Sequence, residues 1–282
     1  MNPPPKLTDR AALTRNRARA TAMAEPALFL IEDVADEIEE RLTEVNRRFT
    51  APAVVTGFPA FWAGRFPHAT VVADDDELAL DPAAHDLVIH ALCLHWASDP
   101  VGQLVQCRRA LKPDGLFLAA LFGGQTLQEL RSALAEAEAA LRGGLAPRVL
   151  PMGEIRDLGA LLQRAGLAMP VADSHRRSVH YSDAWALMRD LRAMGETNAM
   201  EARPRRFTPP SVLQRMAAIY GQHFPAPNSR VSATFETVFL TGWAPDPGQP
   251  KPLRPGSATH RLADALGSEE VGLGEAAAKR GD

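Results

Sequence analysis

Apolar and polar residues alternate along the chain in a pattern that predicts helices and strands in turn. From Leu28 to Arg48, apolar side chains recur every three or four positions, which indicates a helix with one buried face. Acidic residues crowd the start of this stretch and Arg47 and Arg48 lie at its end, as the helix dipole favours. We therefore expect its charges to form a solvated face and not a partner site.

Short apolar runs predict buried strands at residues 53–57, 69–73 and 86–90. Residues 91–96 are expected to form a loop, and Asp99 and Pro100 then predict the start of a helix that ends at Leu111. The turn sequence 112–115 leads into a further strand at 115–121. Strand, helix, turn and strand at this spacing indicate a βαβ unit with two parallel strands.

The second half of the chain continues the alternation. Thr126 and Glu129 match a capping box, which predicts a helix that runs to Leu141. The later patterns predict a helix at 154–165, a strand at 167–180, helices near 182–194 and 209–223, and a strand at 231–243. We expect the last strand to be an antiparallel edge strand, and His175-Arg176-Arg177 to be solvated surface.

These elements predict an α/β fold with three α/β/α layers. The expected sheet is mostly parallel, with an antiparallel C-terminal strand, inserted helices and helices on both faces. Three segments are predicted: a basic N-terminal helix or arm at 1–26, a domain at 27–245, and a proline-rich flexible tail at 246–282. The arm is rich in arginine, but its early prolines favour a basic helix over a mitochondrial presequence.

Composition narrows the function. The 282 residues are 46% hydrophobic and 23% charged with a net charge of -3, which argues against a nucleic-acid binder. The two cysteines, Cys93 and Cys107, are too few for a disulfide framework, so a reducing compartment is expected. No apolar run reaches the roughly 20 residues of a membrane span. None of the eight histidines precedes an acidic residue by two positions, so no iron triad and no metal site are predicted.

Residues 85–96 and 109–117 resemble the fourth strand, fourth helix and fifth strand of class I S-adenosylmethionine-dependent methyltransferases. Four further segments, 121–131, 157–166, 194–198 and 254–259, resemble the methyltransferase-like assembly factor of respiratory complex I. The resemblance covers residues 10 to 260 or so. It implies S-adenosylmethionine as the cofactor and hydroxylation of an arginine in a small iron–sulfur subunit of complex I. A more distant resemblance is to the malonyl-carrier-protein methyltransferase of biotin synthesis.

The resemblance also implies site residues, which lie after the predicted strands, where open α/β sheets bind ligands. The cofactor-binding candidates are Gly57, Asp74, Asp75, Leu92, His95 and Trp96. The substrate candidates are Phe122, Gly123, Gly124, Trp185 and Asn198, to which Tyr181, Met188 and Tyr220 are added as residues that cap the site. His95 and Gln125 are the candidates for a catalytic role, and relatives tend to carry an acid at the position of Gln125.

Two features depart from the family pattern. The loop after the first strand contains Phe58 and Pro59 where a cofactor site wants glycine. Gly57 and Asp86 are only 29 positions apart, whereas one βαβ unit takes about 30 residues or more and the family needs two strands in this interval. One N-terminal strand-helix unit is therefore predicted to be missing, and the strand at 69–73 is expected to take the place of the third strand. That placement makes Asp75 the acid that contacts the adenine amine and leaves no obvious acid for the ribose hydroxyls.

The acidic run 74–77 could bind the adenine amine or a cationic substrate, or be a solvated loop, and Trp96 could wall a pocket or pack under a helix. Three functions stay open. The first is a methyltransferase-like protein that acts on a protein in complex I assembly, by methyl transfer or arginine hydroxylation. The second is a non-catalytic assembly or scaffold protein that has lost the cofactor. The third is a carrier-protein carboxyl methyltransferase. We expect weak or absent binding of the cofactor. The protein is expected in the cytoplasm, where it could lie at the inner membrane, or in the mitochondrial matrix of a eukaryote.

Overall fold

A computed structural model describes residues 6–250, in which one mixed sheet organises the fold. The strands are β1 (Pro52–Thr56), β2 (Thr70–Ala73), β3 (His85–Ala91), β4 (Leu111–Phe122), β5 (Ala168–Tyr181), β6 (Pro225–Ala226) and β7 (Arg230–Trp243). The helices are α1 (Arg10–Thr21), α2 (Phe29–Glu44), α3 (Pro59–Arg65), α4 (Pro100–Ala110), α5 (Gln128–Arg142), α6 (Ile155–Arg164), α7 (Ala184–Ala193) and α8 (Pro210–His223). The predicted elements from α2 to β7 are confirmed, apart from the corrections given below.

The strand order is β2-β1-β3-β4-β7-β5, and the short β6 pairs with β7. The pairs β1–β2, β1–β3 and β3–β4 are parallel, and β7 is antiparallel to β4, β5 and β6. Since β5 is antiparallel to β7 and β7 to β4, β5 runs in the same direction as the first four strands. The mostly parallel α/β sheet with an antiparallel C-terminal strand is therefore confirmed.

Helices cover both faces of the sheet, as the three-layer prediction requires. Along β4, Leu116, Leu118 and Ala120 point into one core, which α2, α5, α7 and α8 cover. Phe117 and Ala119 point into the other core, beneath α4 and α6. Successive strand residues face opposite sides of a sheet, so a stretch buried on both faces must be apolar throughout, as residues 115–122 are.

The position of β2 corrects one prediction. β2 pairs directly with β1, with Val54 opposite Val71. In the doubly wound order 3-2-1-4-5-6 the neighbour of the first strand is the second strand, not the third. The described residues contain no strand beyond β2, so the unit missing from this chain is the third strand and its helix. The third-strand placement of 69–73 was wrong because the length of the interval says that a unit is absent and not which one.

The last strand is antiparallel as predicted, but the edge position expected for 231–243 was wrong, because β7 lies inside the sheet between β4 and β5. Its alternating polar residues suggested an exposed face, yet Thr234 and Glu236 are buried. Glu129 of α5 accepts hydrogen bonds from the backbone N–H and the hydroxyl of Thr234. Polar alternation on this strand therefore reflects buried hydrogen bonding and not contact with water.

The contacts of Thr126 and Glu129 also show that the capping box predicted for them does not form. Helix α5 begins after Leu127, which has a left-handed backbone (φ 55°) and no side-chain cap. The hydroxyl of Thr126 donates to the carbonyl oxygens of Gly123 and Glu236. It also accepts from the backbone N–H of Glu236. Residue spacing alone matched the motif, but both polar side chains face β7 and not the start of the helix.

The acidic face of α2 is paired with arginines and is not simply solvated. Arg65 of α3 bridges Asp36 and Glu39, and Arg177 of β5 pairs with Asp33 at 2.5 Å. The expectation for 175–177 holds in part: these residues are exposed, but Arg176 and Arg177 both bear ion pairs. These pairs join elements that are far apart in the sequence, which local charge patterns cannot reveal.

Two connections differ from their predictions. The loop 91–96 contains a 3-10 helix at Leu94–Trp96. The turn sequence 112–115 lies within β4, where Asp114 adopts a φ of 59°. At this point the pairing of β4 with β3 shifts register, since His85 pairs with Leu111 but Leu87 pairs with Leu116. The irregularity thus takes up the residues that the turn was expected to use.

The chain divides into two units, Met1–Asp246 and Pro247–Asp282. Most of the predicted tail and the motif 254–259 lie outside the described residues, as do residues 1–5 of the arm. Within 6–250, none of the helices combines the length and apolarity needed to cross a bilayer.

Candidate functional site

Two cavities form the candidate site, and the larger one lies at the carboxyl ends of β1 and β2, beneath α1. Its volume is about 810 Å³, within the usual range for small-molecule sites. The residues that define its chemistry are Arg10, Arg17, Gly57, Phe58, Asp74 and Asp75. Open α/β sheets bind ligands at the carboxyl ends of their strands, so both the place and the size suit a cofactor.

Asp74 is the carboxylate at the end of β2, where a doubly wound fold holds the ribose of its ligand. Its side chain is only 4% exposed and pairs with Arg17 at 2.7 Å and with Arg10 at 3.2 Å. Burial opposes the charge, but the attraction of Arg17 and the hydrogen bonds from Arg10 lower the pKa of Asp74 to about 2. Asp74 is therefore an ionised carboxylate already engaged by two guanidinium groups.

Arg17 also covers the glycine of the loop after β1. A Cβ built on Gly57 would overlap the Arg17 guanidinium, so the two groups are in close contact. The side chain is 8% exposed, and its Nε and Nη2 atoms are buried without a hydrogen-bond partner. Each buried, unpaired donor costs about 1–3 kcal/mol. The guanidinium thus lies where a ligand would approach Gly57, in a position that leaves part of its hydrogen bonding unmet.

A buried polar network positions the backbone around Asp74. The side-chain amide of Gln103 donates to the carbonyl oxygens of Asp74 and Asp75. Its oxygen lies 2.9 Å from Nε2 of His90, whose Nδ1 lies 3.3 Å from the Cys93 sulfur. Burial lowers the pKa of His90 to about 4. A neutral imidazole therefore supports the loop after β2 from below.

A second cavity of about 220 Å³ lies between the end of β4 and helices α5, α7 and α8. Its walls are mainly apolar and include Leu130, Leu134, Met188, Leu191, Leu213 and Phe235. Trp96, Phe122, Glu196 and Asn198 also line it. A small gap lined by Phe58, Leu92, Phe122 and Glu196 lies between the two cavities, because Phe58 lines the larger cavity and Phe122 and Glu196 line the smaller one.

Glu196 is the acidic group at this junction. Its Oε2 accepts a hydrogen bond from the Trp96 indole at 2.8 Å and lies 3.3 Å from Nε2 of His95. The backbone N–H of Phe122 donates to Nδ1 of His95 at 3.4 Å. Burial opposes the charge, but His95 and the hydrogen bonds lower the pKa of Glu196. The carboxylate is therefore ionised, and its two partners fix its orientation.

The cofactor-binding residues implied by the resemblance do not lie together in the structure. They are divided among the larger cavity, the smaller cavity and the gap between them. Gly57, Asp74 and Asp75 line the larger cavity, although the Asp75 side chain is 72% exposed. Trp96 lines the smaller cavity, and Leu92 lines the gap, with a left-handed backbone at φ 50°. His95 contacts the junction only through Glu196, Trp96 and Phe122.

The substrate candidates are also divided. Phe122 and Asn198 line the smaller cavity, and the Asn198 amide donates to the carbonyl oxygen of Pro147. Gly123 and Gly124 form the turn into α5, and their N–H groups bond to Glu236 and Gly153. These two glycines therefore serve the turn and do not present their N–H groups to a cavity.

The remaining candidates lie at the edges of the site. Trp185 is 37% exposed and lines a different surface cavity, away from the residues above. Met188 lines the smaller cavity, whereas Tyr181 and Tyr220 are buried and donate to Asp190 and to the carbonyl oxygen of Ser232. The helices α7 and α8 thus contribute mainly apolar walls.

At Gln125 the backbone N–H donates to the Glu236 carboxylate, and the same carboxylate fills the space beside Gly124. Glu236 therefore supplies a buried acid from β7 beside Gln125. No group of three or more His, Cys, Asp or Glu side chains suited to a metal occurs among residues 6–250.

Residues missed by sequence reasoning include Arg17, Glu196 and Glu236. Arg17 belonged to a basic helix that was expected only as an arm, although Leu13 and Ala20 lie one helical turn to either side of it and give that face apolar neighbours. Glu196 lies inside the segment 194–198, whose resemblance was noted without its acid being singled out. Nothing in the sequence indicated a role for Glu236, because the alternation of polar and apolar residues along β7 predicts that its side chain is exposed.

Comparison with known proteins agrees with this geometry. Residues 37–119 match the family model described as a methyltransferase domain. Together with the strand order and the cavity at the ends of β1 and β2, this match defines a class I methyltransferase fold.

The relatives identify the family within that class. The chain is 35% identical over 237 residues to "Arginine-hydroxylase NDUFAF5, mitochondrial" of Danio rerio, covering 83% of this chain and 71% of that protein. The human protein of the same name is 37% identical over 193 residues, 68% of this chain and 56% of its own. This chain belongs to the NDUFAF5 arginine-hydroxylase family. The resemblance stated from the sequence is confirmed.

The relatives extend beyond the stretch that this chain matches. The alignment spans 46% of the Dictyostelium discoideum relative and 56% of the human one, so about half of each is matched. A "Malonyl-[acyl-carrier protein] O-methyltransferase" of Laribacter hongkongensis is 36% identical over a shorter stretch of 177 residues, 63% of this chain and 57% of that protein. The activity of the whole relatives is therefore taken up below as a proposal.

Proposed function

We propose that this protein acts on an arginine side chain of a protein partner during assembly of respiratory complex I, with S-adenosylmethionine as its ligand. The partner class is a small iron–sulfur subunit of that complex, and the place is the mitochondrial matrix, or the cytoplasmic side of the inner membrane in a bacterium. Membership of a family whose members are named arginine hydroxylases supports the substrate.

The observation that carries the proposal is Asp74 at the end of β2 in a cavity of about 810 Å³. Asp74 would hold the ribose hydroxyls of the cofactor, and Gly57 would allow its methionine part to approach the backbone after β1. S-adenosylmethionine supplies an activated sulfonium group when it is bound. The protein supplies position, since the smaller cavity lies next to this site across the gap at Phe58 and Phe122.

The residues fit this ligand only when the Arg17–Asp74 pair opens. In the structure Arg17 occupies the face of Gly57 and both arginines engage Asp74. Binding therefore has to replace charge-assisted hydrogen bonds, each worth about 1.5–3 kcal/mol. We expect weak binding of the cofactor for this reason and not because the acid is missing.

The same pair favours a second candidate function, a non-catalytic assembly protein. If Arg17 and Asp74 never separate, the site is a closed structural element that joins α1 to the sheet. The chain would then keep the family's fold and surface without its cofactor. The carrier-protein carboxyl methyltransferase is less well supported, because its named relative matches a shorter stretch of 177 residues and the cavity arginine Arg148 is already paired with Glu138 and Thr208.

Calorimetric titration of the full chain with S-adenosylhomocysteine tests the proposal. We expect measurable binding that is lost in Asp74→Ala and kept in Asp76→Ala, an exposed acid two residues further on. Binding that Asp74→Ala leaves unchanged would show that the ligand lies elsewhere. No binding at any concentration reached would favour the assembly function.

A further inference from the structure

We infer that Glu196 is the residue that receives the guanidinium group of the substrate arginine, in the smaller cavity. This inference rests on the proposed function, because the family name supplies the arginine. The smaller cavity supplies the other features of the site, which are one largely buried carboxylate, 12% exposed, and mainly apolar walls.

Glu196 has the charge state and the open position that a cation receptor needs. Both of its polar partners, the Trp96 indole and His95, contact the Oε2 atom. No hydrogen-bond partner of Oε1 occurs among the described residues. Oε1 is not among the fully buried unpaired atoms either, so part of its surface is accessible. A guanidinium hydrogen bond to an ionised carboxylate is about twice as strong as one between neutral groups.

The walls match the rest of an arginine side chain. Leu130, Leu134, Met188 and Leu191 give the cavity that Glu196 lines an apolar wall. Arginine buries its methylene stem against apolar surface while its head seeks polar partners. A lysine has the same kind of stem, but its compact ammonium group lacks the planar fork that fits a carboxylate.

Aromatic rings lie beside Glu196. The rings of Phe122 and His95 lie 5.2 Å apart, and those of His95 and Trp96 lie 5.7 Å apart. Phe122 and Trp96 both line the cavity beside Glu196. Aromatic faces attract guanidinium groups, so these rings favour a cation over a neutral or anionic side chain.

The cations of the cavity do not oppose this assignment. Arg148 pairs with Glu138 at 2.6 Å, which neutralises its charge, and donates a hydrogen bond to Thr208. Arg192 lines the cavity from an exposed position on α7. The carboxylate of Glu196 stays ionised where the cavity meets the gap to the cofactor site, because its pKa is lowered.

The Trp96 indole N–H provides a direct probe, because it donates to Glu196 at 2.8 Å. The full chain, labelled with nitrogen-15, would be titrated with arginine blocked at its amino and carboxyl ends, and the Trp96 indole signal followed by NMR. The matched ligands are blocked citrulline, which has the same shape without the charge, and blocked lysine. We expect arginine to bind about tenfold or more tightly than citrulline, and lysine to bind between the two.

Three variants separate recognition from folding. Glu196→Gln keeps the acceptor for Trp96 and removes the charge, so the preference for arginine over citrulline should disappear. Glu196→Asp should restore part of it. Glu40→Gln, an exposed acid on α2, should leave it unchanged. Thermal unfolding of each variant checks that the chain still folds.

Equal binding of arginine and citrulline by the unaltered protein would overturn the assignment, as would an arginine preference that survives in Glu196→Gln. The result is independent of the cofactor titration. Arginine binding that depends on Glu196 without cofactor binding would support this inference and count against the proposed cofactor, and the reverse pattern would do the opposite.

Discussion

Substitution of Arg17 by methionine should increase the affinity of the protein for S-adenosylhomocysteine. Arg17 pairs with Asp74 at 2.7 Å and covers Gly57, so a ligand that uses both residues must displace it. Methionine keeps the length and the apolar stem of the side chain, but removes the charge and the hydrogen-bond donors.

The expected gain follows from the bonds that the ligand no longer has to replace. A hydrogen bond between charged groups contributes about 1.5–3 kcal/mol, and each 1.4 kcal/mol is a factor of ten in affinity. The dissociation constant should therefore fall by about 10- to 100-fold. Arg10 still pairs with Asp74 in the variant, which keeps the expected gain toward the lower value.

The cost in stability should be small. Removal of one partner of a buried ion pair usually costs about 3–5 kcal/mol. Here Arg10 remains beside Asp74, and the variant also removes the unpaired Nε and Nη2 donors, so we expect a loss of about 1–2 kcal/mol.

Calorimetry measures the affinity and urea denaturation the stability. Arg19→Met is the matched control, since Arg19 lies exposed on the same helix, and it should change neither quantity. An unchanged or weaker affinity in a folded Arg17→Met variant would refute the competition between Arg17 and the ligand.

Three further outcomes follow from the contacts. Gly124→Ala should destabilise the protein by about 1–2 kcal/mol more than Gly143→Ala. Both glycines have a positive φ, but only at Gly124 would a Cβ meet the Glu236 carboxylate. Equal losses of stability in thermal and urea unfolding would contradict this role of the contact. Thr234→Val should cost about 1–3 kcal/mol by denaturation, since it removes a buried donor from Glu129, and a neutral effect would contradict the importance of that bond. The pKa of His90 falls from an ordinary 6.5 to about 4 on folding, so the unfolded chain binds more protons between these pH values. The free energy of unfolding should therefore fall by up to about 3 kcal/mol as the pH drops from 6.5 to 4, and the slope of this dependence should be shallower in His90→Gln.

Much of the fold could be predicted from the sequence because its signals are local. The apolar periodicity of α2, the cap and proline that begin α4 and the buried strand β4 all follow from neighbouring residues. The short interval after Gly57 also indicated a missing unit. Which unit was missing could not be predicted, because only the pairing of β2 with β1 decides it.

The candidate site was harder to predict, because its key contacts join distant segments. Arg17 meets Asp74 from 57 positions away, and Glu196 meets Trp96 from 100 positions away. Polar residues on β7 looked exposed for the same reason, since the partners of Thr234 and Glu236 lie on and before α5. Asp74 itself could be named in advance, since an acid directly after a strand is a local feature.

The most direct test of the proposed function is the mass of the small iron–sulfur subunit of complex I, isolated from cells with and without this protein. We predict that one arginine of that subunit gains an oxygen atom or a methyl group only when the protein is present, and that the gain is lost with Asp74→Ala. An arginine of unchanged mass in both cell types, with complex I assembled normally, would contradict the proposal.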